Sequence, residues 1–194
     1  MPKVFILVLY AGPDDAGSLA ATFIRRHPAW APYVVELDLK RGHDILSGPL
    51  FAQLCAAAAQ GRILAILGGP NCRTWTRLLH QERANYPAPK RGRHPLDLWG
   101  LRDFRATATE TAQEAQQKCD DDSLLILRML LLIYVAHQHQ VHYLLEHPED
   151  PGEEPFPSFW LTDQAAALLR AVHHLLRDER HPADSVSYTH LRAH

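Results

Sequence analysis

Residues 62–72, which read RILAILGGPNC, decide the fold of this chain. The run RILAIL is short, mostly apolar and rich in residues that favour β-structure, and two glycines, a proline and an asparagine follow it directly. A run of this kind, bounded by turn residues, is typical of a parallel strand that is covered on both faces. The segment therefore predicts a buried strand over residues 62–67 that leads into a glycine loop carrying Cys72.

Strands and helices alternate along the rest of the chain. Further strands are predicted from the apolar runs at residues 4–10, 33–39 and 141–147. Helices are predicted at residues 19–26, 50–60 and 106–138, and from Thr162 or Asp163 to residue 176. Gly61 is the expected C-cap of the second helix, and the aspartates at residues 120–122 favour a break in the third. This alternation predicts an α/β fold, a Rossmann-like and mostly parallel sheet with helices on both faces.

The composition is that of one folded domain. The chain has 194 residues, 46% of them hydrophobic, and its net charge of −2 lacks the overall basic character of many nucleic-acid binders. Its three cysteines are too widely spaced for a disulfide framework or a CxxC metal clip, and its 13 histidines show no HExxH spacing, so no metal is predicted. The sequence shows neither a signal-peptide pattern nor a membrane-spanning run, so we expect an intracellular protein, nuclear or cytoplasmic, that does not enter a membrane. The oligomeric state stays open.

The domain is expected to occupy residues 1–181 and to contain a long, mobile loop at about residues 73–105. This loop is rich in proline, arginine, lysine and glycine, and loops of such length are usually functional or disordered. Residues 182–194 lose the apolar periodicity and are expected to be a non-native or disordered tail.

Basic and aromatic side chains in this loop are candidates for nucleic-acid contact. Trp75 and Trp99 suit stacking on bases. The alternative is an exposed mobile loop whose charges are incidental. The candidates for phosphate contact are Arg73, Lys90, Arg91 and Arg93.

Ligands of parallel sheets bind outside the carboxyl ends of the strands, where the strand order reverses. Gly12 permits a tight turn after the first strand, and the two aspartates that follow disfavour a phosphate and favour an adenosyl cofactor with an ammonium group. Glu36 and Asp38 share one face of the second strand and can accept hydrogen bonds from ribose hydroxyls. Asp44 either bonds an adenine amino group or starts a turn. The plain alternatives are an ordinary βα turn and solvated charges at a strand end.

Cys72 is the most informative single residue. It follows a buried strand and two glycines, and Arg73 comes next. A cationic neighbour or a helix N-terminus would lower the pKa of the thiol and favour the nucleophilic thiolate. Glu146, at the end of the fourth strand, would then lie beside Cys72 as a general acid or as a hydrogen-bond partner for a base. The alternatives are an inert buried cysteine and a charged strand end; Cys55 is expected in the core and Cys119 is expected to be incidental.

The cysteine loop carries a resemblance. GGPNCRTWTR at residues 68–77 resembles the GGPPC-x-x-(F/W)-S loop of the DNA cytosine-5 methyltransferases. Three segments match other motifs of that family in the same order: VLYAGPDDAGSLA at residues 8–20 its cofactor loop, VVELD at residues 34–38 its acidic second strand, and LLEHPEDP at residues 144–151 its ENV motif. The chain is therefore similar to Rossmann-like methyltransferases that use S-adenosylmethionine, in a truncated or divergent form.

The resemblance implies a mechanism. Cys72 would attack C6 of a cytosine flipped out of DNA, Glu146 would contact N3 of the ring, and C5 would take the methyl group from S-adenosylmethionine. The residues that the resemblance assigns to the cofactor are Ala11, Gly12, Glu36, Asp38, Asp44, Gly69 and Pro70.

The chain also departs from the family. Asn71 replaces the second proline of the cysteine loop, His147 replaces the asparagine of ENV, and Leu9-Tyr10 stands where the family has an acidic residue and a phenylalanine. No QRR-type motif or target-recognition domain is recognisable. Two alternatives therefore stand beside cytosine-5 methylation: a catalytically inactive domain of the same fold derived from a mobile element, and a small-molecule methyltransferase.

Overall fold

The computed structural model describes residues 4–12, 17–80, 88–104 and 110–177. Its centre is a four-stranded, wholly parallel sheet in the order β2-β1-β3-β4. The prediction of a Rossmann-like α/β fold is therefore confirmed. The strands are β1 (Phe5–Leu9), β2 (Val34–Leu37), β3 (Ile63–Gly68) and β4 (His142–Leu145).

Four α-helices connect and follow these strands, and their ends have local causes. The Ser18 side chain accepts the Ala21 N–H at the start of the first, and a capping box of Thr111 and Glu114 starts the third. Thr162 Oγ1 accepts the Ala165 N–H at 3.2 Å, which confirms the predicted start of the last helix. The helices are α1 (Leu19–Arg26), α2 (Gly48–Ala59), α3 (Ala112–His137) and α4 (Asp163–Arg177).

The predicted break in the third helix is wrong, because α3 runs through all three aspartates without interruption. Asp122 does not begin a helix. Its carboxylate is fully buried and accepts hydrogen bonds from side chains of the cysteine loop. Within the described ranges, no helix combines the length and hydrophobicity needed to cross a bilayer.

The core lies on one face of the sheet, between the strands and the pair α2 and α3. Alternate residues of β1, Phe5, Leu7 and Leu9, point into it together with Ile66 of β3. The intervening residues of β1 are buried as well, so both faces of this strand are covered. Such burial is typical of a central strand in a parallel sheet with helices on both faces.

The strand order reverses between β1 and β3, because the chain passes from β1 to β2 on one side and then to β3 on the other. The carboxyl ends of these two strands approach closely. A Cβ atom on Gly68 would lie 2.7 Å from the carbonyl oxygen of Leu9, so only glycine fits there. The loops carrying Gly12 and Cys72 therefore leave the sheet side by side at its switch point.

Much of the predicted mobile loop is packed into the fold. The segment at residues 90–101 is closed by a hydrogen bond from the Leu101 N–H to the Lys90 carbonyl at 3.0 Å, and Arg91 and Leu98 inside it are buried. Residues 81–87 and 105 of that loop, residues 106–109 of the predicted third helix, and the predicted tail at residues 182–194 lie outside the described residues.

Candidate functional site

The cysteine loop is a tight turn directly after β3. The carbonyl of Cys72 accepts the Trp75 N–H at 2.9 Å, and the side-chain oxygen of Asn71 accepts the Arg73 N–H at 3.0 Å. The asparagine that departs from the family motif thus stabilises the turn with a hydrogen bond that a proline side chain could not make. The Cys72 side chain is half-buried in this turn.

Glu146 lies against the same loop. Its N–H donates to the Gly68 carbonyl at 3.0 Å, which extends the pairing of β3 and β4 by one residue. A Cβ atom on Gly69 would lie 2.5 Å from Oε2 of Glu146, so the absent side chain leaves room for the carboxylate. Gly69, which the sequence assigns to the cofactor, here accommodates the predicted catalytic carboxylate.

The electrostatics around Cys72 are opposite to the sequence-based expectation. Burial raises the pKa of the thiol, and the negative charges of Glu146 and Asp122 raise it further. Arg73 does not face the thiol, since its Nε lies 3.1 and 3.2 Å from the two carboxylate oxygens of Asp122. The expectation of a lowered thiol pKa is therefore wrong, and the resting group at neutral pH is the thiol.

On the other side of the switch point, the predicted cofactor residues come together and bond to one another. Asp38 accepts the Gly12 N–H at 2.9 Å and the Lys40 N–H at 2.8 Å. Arg41 donates from Nε to the Gly12 carbonyl at 3.0 Å and pairs with Glu36 at 2.9 Å. The Asp38 carboxylate and the Arg41 guanidinium, at the end of β2, therefore both hold the loop that follows β1 in place.

These residues fit an adenosyl cofactor in chemistry. Gly12 has a positive φ of 75°, and no atom of the described residues lies within 4 Å of the place where its Cβ would be, so those residues leave room for a ligand on that side. The carboxylates of Glu36 and Asp38 suit ribose hydroxyls and an ammonium group. A ligand that reaches Glu36 must compete with Arg41 for it.

The remaining predicted cofactor residues have structural contacts. Asp44 is exposed, and its Oδ1 accepts the Leu46 N–H at 2.8 Å, which is the local bond of a turn. The Ala11 N–H donates to the Leu37 carbonyl at 3.4 Å, continuing the alignment of the first two strands. Pro70, within the cysteine loop, is buried.

The predicted phosphate contacts are used inside the protein. Arg91 has no exposed surface, and Lys90 is buried in an ion pair with Glu110 at 2.6 Å. For these two residues the prediction is wrong, because their donors face protein acceptors rather than solvent. Arg93 forms a two-bond ion pair with Asp150 at 2.5 and 3.0 Å, and Arg73, though 46% exposed, is paired with Asp122.

Trp75 does not present its ring to solvent, so the prediction that it stacks on bases is wrong. Its side chain is 2% exposed, and the Arg91 guanidinium lies 4.0 Å from the centre of its ring. The rings of Trp99, His147 and Phe159 pack edge-on against it at 5.7, 5.9 and 6.1 Å. Trp99 is half-buried in the same cluster.

Sequence reasoning missed three buried polar side chains at this site. Thr74 and Asp122 hydrogen-bond to each other, although they are 48 positions apart and no local pattern links them. His147 is buried among aromatic rings, and its ring interacts with the backbone of Pro148. Burial and the nearby Arg91 lower the pKa of His147 to about 4, so the imidazole is neutral.

The other two cysteines differ from each other. Cys55 lies half-buried on α2 against the core, close to the expected core position. Cys119 is fully buried on α3, and its Sγ donates to the Trp99 carbonyl at 3.4 Å, so its side chain packs inside the fold. Among the residues described, no three His, Cys, Asp or Glu side chains are placed to hold a metal ion.

No protein-family model, curated protein or solved structure matches this chain. A functional conclusion must therefore be drawn from the site itself. That site consists of the half-buried Cys72 and the Glu146 carboxylate on one side of the switch point, and the acidic end of β2 on the other.

Proposed function

We propose that this domain is an S-adenosylmethionine-dependent methyltransferase of the DNA cytosine-5 type, with Cys72 as nucleophile and Glu146 as its acidic partner. The observation that carries the proposal is the fit of Glu146 over Gly69, in the loop that holds Cys72. A thiol, and a carboxylate whose charge acts on it, at the carboxyl edge of a parallel sheet are the groups that attack on a pyrimidine C6 requires.

The raised pKa of the Cys72 thiol is consistent with this role, because substrate binding can move the thiol proton to Glu146. At rest, Cys72 carries a proton, and the negative charge of Glu146 opposes ionisation of the thiol. When a cytosine binds, its N3 can accept a hydrogen bond from the protonated carboxyl group of Glu146. The bound cytosine therefore favours the protonated form of Glu146. Neutralising Glu146 removes its opposition to the thiolate. Substrate binding thus favours transfer of one proton from Cys72 to Glu146, which leaves the sulfur able to form its bond to C6.

The acidic end of β2 is the proposed cofactor side. Gly12, Glu36 and Asp38 would hold S-adenosylmethionine, which when bound would supply the methyl group. The two carboxylates accept hydrogen bonds, and their negative charge favours a ligand with a cationic centre. Asp38 also keeps the Gly12 loop against β2, so it contributes to the shape of this side as well as to its charge.

One observation favours a second candidate, a small-molecule methyltransferase that uses the same cofactor side. The four basic residues that were predicted to contact phosphate all bond to acceptors within the protein. A DNA substrate would have to be bound through other cations, such as the exposed Arg77. A small substrate needs no basic surface and no reaction at Cys72.

Calorimetric titration with S-adenosylhomocysteine tests the cofactor side. We expect saturable binding by the parent chain, weakened about tenfold or more in Asp38→Ala, since that is the effect of losing about 1.4 kcal/mol of interaction. Asp163→Ala is the matched control, because Asp163 is an exposed carboxylate at the start of α4 that is not assigned to the cofactor. A folded parent chain that does not bind would contradict the proposal and leave the inactive domain as the better account.

Methyl transfer to a cytosine-containing oligonucleotide tests the cysteine side. We expect transfer by the parent chain and none by Cys72→Ala or Glu146→Gln, while Cys55→Ala retains it. Cofactor binding without transfer to DNA, together with methylation of a small acceptor by the Cys72→Ala variant, would instead support the second candidate.

A further inference from the structure

A buried hydrogen-bonded bridge lies directly behind the cysteine loop. Thr74 Oγ1 donates to Oδ2 of Asp122 at 2.9 Å and accepts from Nε of Arg91 at 3.0 Å. All three side chains are buried, with Arg91 and Asp122 showing no exposed surface. We call these three residues the Thr74 bridge.

Arg91 fixes the bridge to two further parts of the fold. One terminal nitrogen donates to the Leu98 carbonyl at 2.9 Å, within the segment that carries Arg91. The other donates to the Cys119 carbonyl at 2.8 Å and to Ser123 Oγ at 2.9 Å, both on α3. One planar guanidinium therefore holds the cysteine loop, its own loop and a long helix in a single arrangement.

The cysteine loop is held at consecutive residues. Arg73 reaches the Asp122 carboxylate, Thr74 bonds it from the next position, and Trp75 stacks against Arg91. These are the three residues that follow Cys72, so the turn carrying the thiol cannot shift without breaking buried charged hydrogen bonds. Leaving such groups unpaired in the interior is costly, which makes the turn rigid.

On the other side of this turn lies the Glu146 carboxylate over Gly69. We propose that Thr74, held by Arg91 and Asp122, is a positioning residue that keeps Cys72 beside Glu146. The inference depends on the proposed function for its choice of Cys72 as the reacting group. Its test needs neither cofactor nor DNA, because it follows the ionisation of the thiol.

The experiment measures the rate at which iodoacetamide alkylates Cys72 as a function of pH, with peptide mass spectrometry separating Cys72 from Cys55 and Cys119. Only the thiolate reacts, so the midpoint of the profile reports thiol ionisation at this residue. The variants are Thr74→Val, which keeps the shape and loses the hydroxyl, and Thr74→Ser, which restores the hydroxyl. Thr76→Val is the control, since within the described residues the Thr76 hydroxyl accepts the Leu78 N–H of its own turn and takes no part in the Thr74 bridge.

We expect Thr74→Val to lower the midpoint and to speed alkylation several-fold at neutral pH, because the released thiol leaves its half-buried place near two carboxylates. Thr74→Ser and Thr76→Val keep the parent profile. Glu146→Gln lowers the midpoint in the parent chain but has no further effect in the Thr74→Val background. This lost coupling is a result that a purely structural role of Thr74 would not produce.

A folded Thr74→Val variant with the parent profile, or with an undiminished Glu146→Gln effect, would overturn the inference. Arg91→Lys provides a second variant, because lysine keeps the charge but lacks the planar fork that reaches Thr74 and α3 together. It too should lower the midpoint and lose the coupling to Glu146. If the parent chain fails to bind S-adenosylhomocysteine while these thiol profiles behave as expected, the proposed function fails and the positioning role stands.

Discussion

The two sides of the switch point are built from similar residue types but held together differently. At the end of β2, Asp38 and Arg41 bond Gly12, which is 26 and 29 positions away, while Glu36 and Arg41 keep 19% and 17% of their side-chain surface exposed. Behind the cysteine loop, Arg91 bonds α3 residues 28 and 32 positions away and has no exposed surface. Exposed polar contacts can rearrange for a ligand at little cost, whereas buried charged ones cannot. We therefore expect a rigid cysteine side and an adaptable cofactor side.

Removing Arg91 should give the largest effect. Arg91→Ala deletes four hydrogen bonds and leaves buried acceptors on Thr74 and α3 without a donor. We expect the free energy of unfolding to fall by about 3–5 kcal/mol, measured by urea denaturation. The exposed Arg170 on α4 provides the control, and Arg170→Ala should change stability by no more than about 0.5 kcal/mol. Equal effects of the two substitutions would contradict the rigidity of the cysteine side.

Acidification should lower the free energy of unfolding, because His147 is buried on the cysteine side. Burial lowers its folded pKa to about 4, against about 6.5 in an unfolded chain. Between these values the unfolded chain binds more protons, so stability is fully present above pH 6.5 and is lost as the pH falls toward 4, by up to about 3 kcal/mol.

His147→Phe keeps an aromatic ring in the cluster and removes the titrating group. Urea denaturation at several pH values should show that this variant loses less stability on acidification than the parent chain. The matched control is His142→Phe, at an exposed position on β4. Identical pH dependence of the parent and His147→Phe would show that His147 is already accessible to protons in the folded state.

Substitutions at the adjacent Gly68 and Gly69 should have different effects, the first on stability and the second on the pKa of Cys72. A Cβ on Gly68 meets the Leu9 backbone at 2.7 Å, whereas a Cβ on Gly69 meets the flexible tip of Glu146. We expect Gly68→Ala to cost about 1–3 kcal/mol of stability, since backbone cannot move aside. Gly69→Ala should cost far less but displace the carboxylate and lower the pKa of Cys72, seen as faster alkylation at neutral pH. Parent-like alkylation of Gly69→Ala would place Glu146 away from the thiol.

Local sequence signals predicted the parts of this fold that have local causes. Apolar runs, caps and turn residues identified the strands and most helix ends, and the rule for parallel sheets brought Cys72 and Glu146 to one edge. Composition misjudged the loop carrying Arg91, since arginine and proline are typical of exposed loops. Arg91 bonds acceptors on α3 that lie far from it in sequence, so the residues near Arg91 do not indicate that its side chain is buried.

The predicted direction of the Cys72 pKa shift was wrong for a related reason. Adjacency in sequence suggested that Arg73 would stabilise the thiolate. Instead the guanidinium turns toward Asp122, a residue 49 positions away. The same carboxylate explains the unbroken α3, because an aspartate that has buried donors need not begin a helix. The cysteine side is thus the part of the molecule where long-range pairing overrides local pattern.

The smallest change in stability is expected at Arg41, and it tests the adaptable side. Arg41 pairs with Glu36 and the Gly12 carbonyl while partly exposed, so Arg41→Ala should cost no more than about 1 kcal/mol in urea denaturation. Because it frees the Glu36 carboxylate, the same substitution should tighten S-adenosylhomocysteine binding in calorimetry. Lys40→Ala removes the neighbouring charge without freeing Glu36 and should leave the affinity nearly unchanged. Weaker binding by Arg41→Ala alone would mean that Arg41 holds the ligand rather than competing with it, and that this side, too, is built as a fixed site.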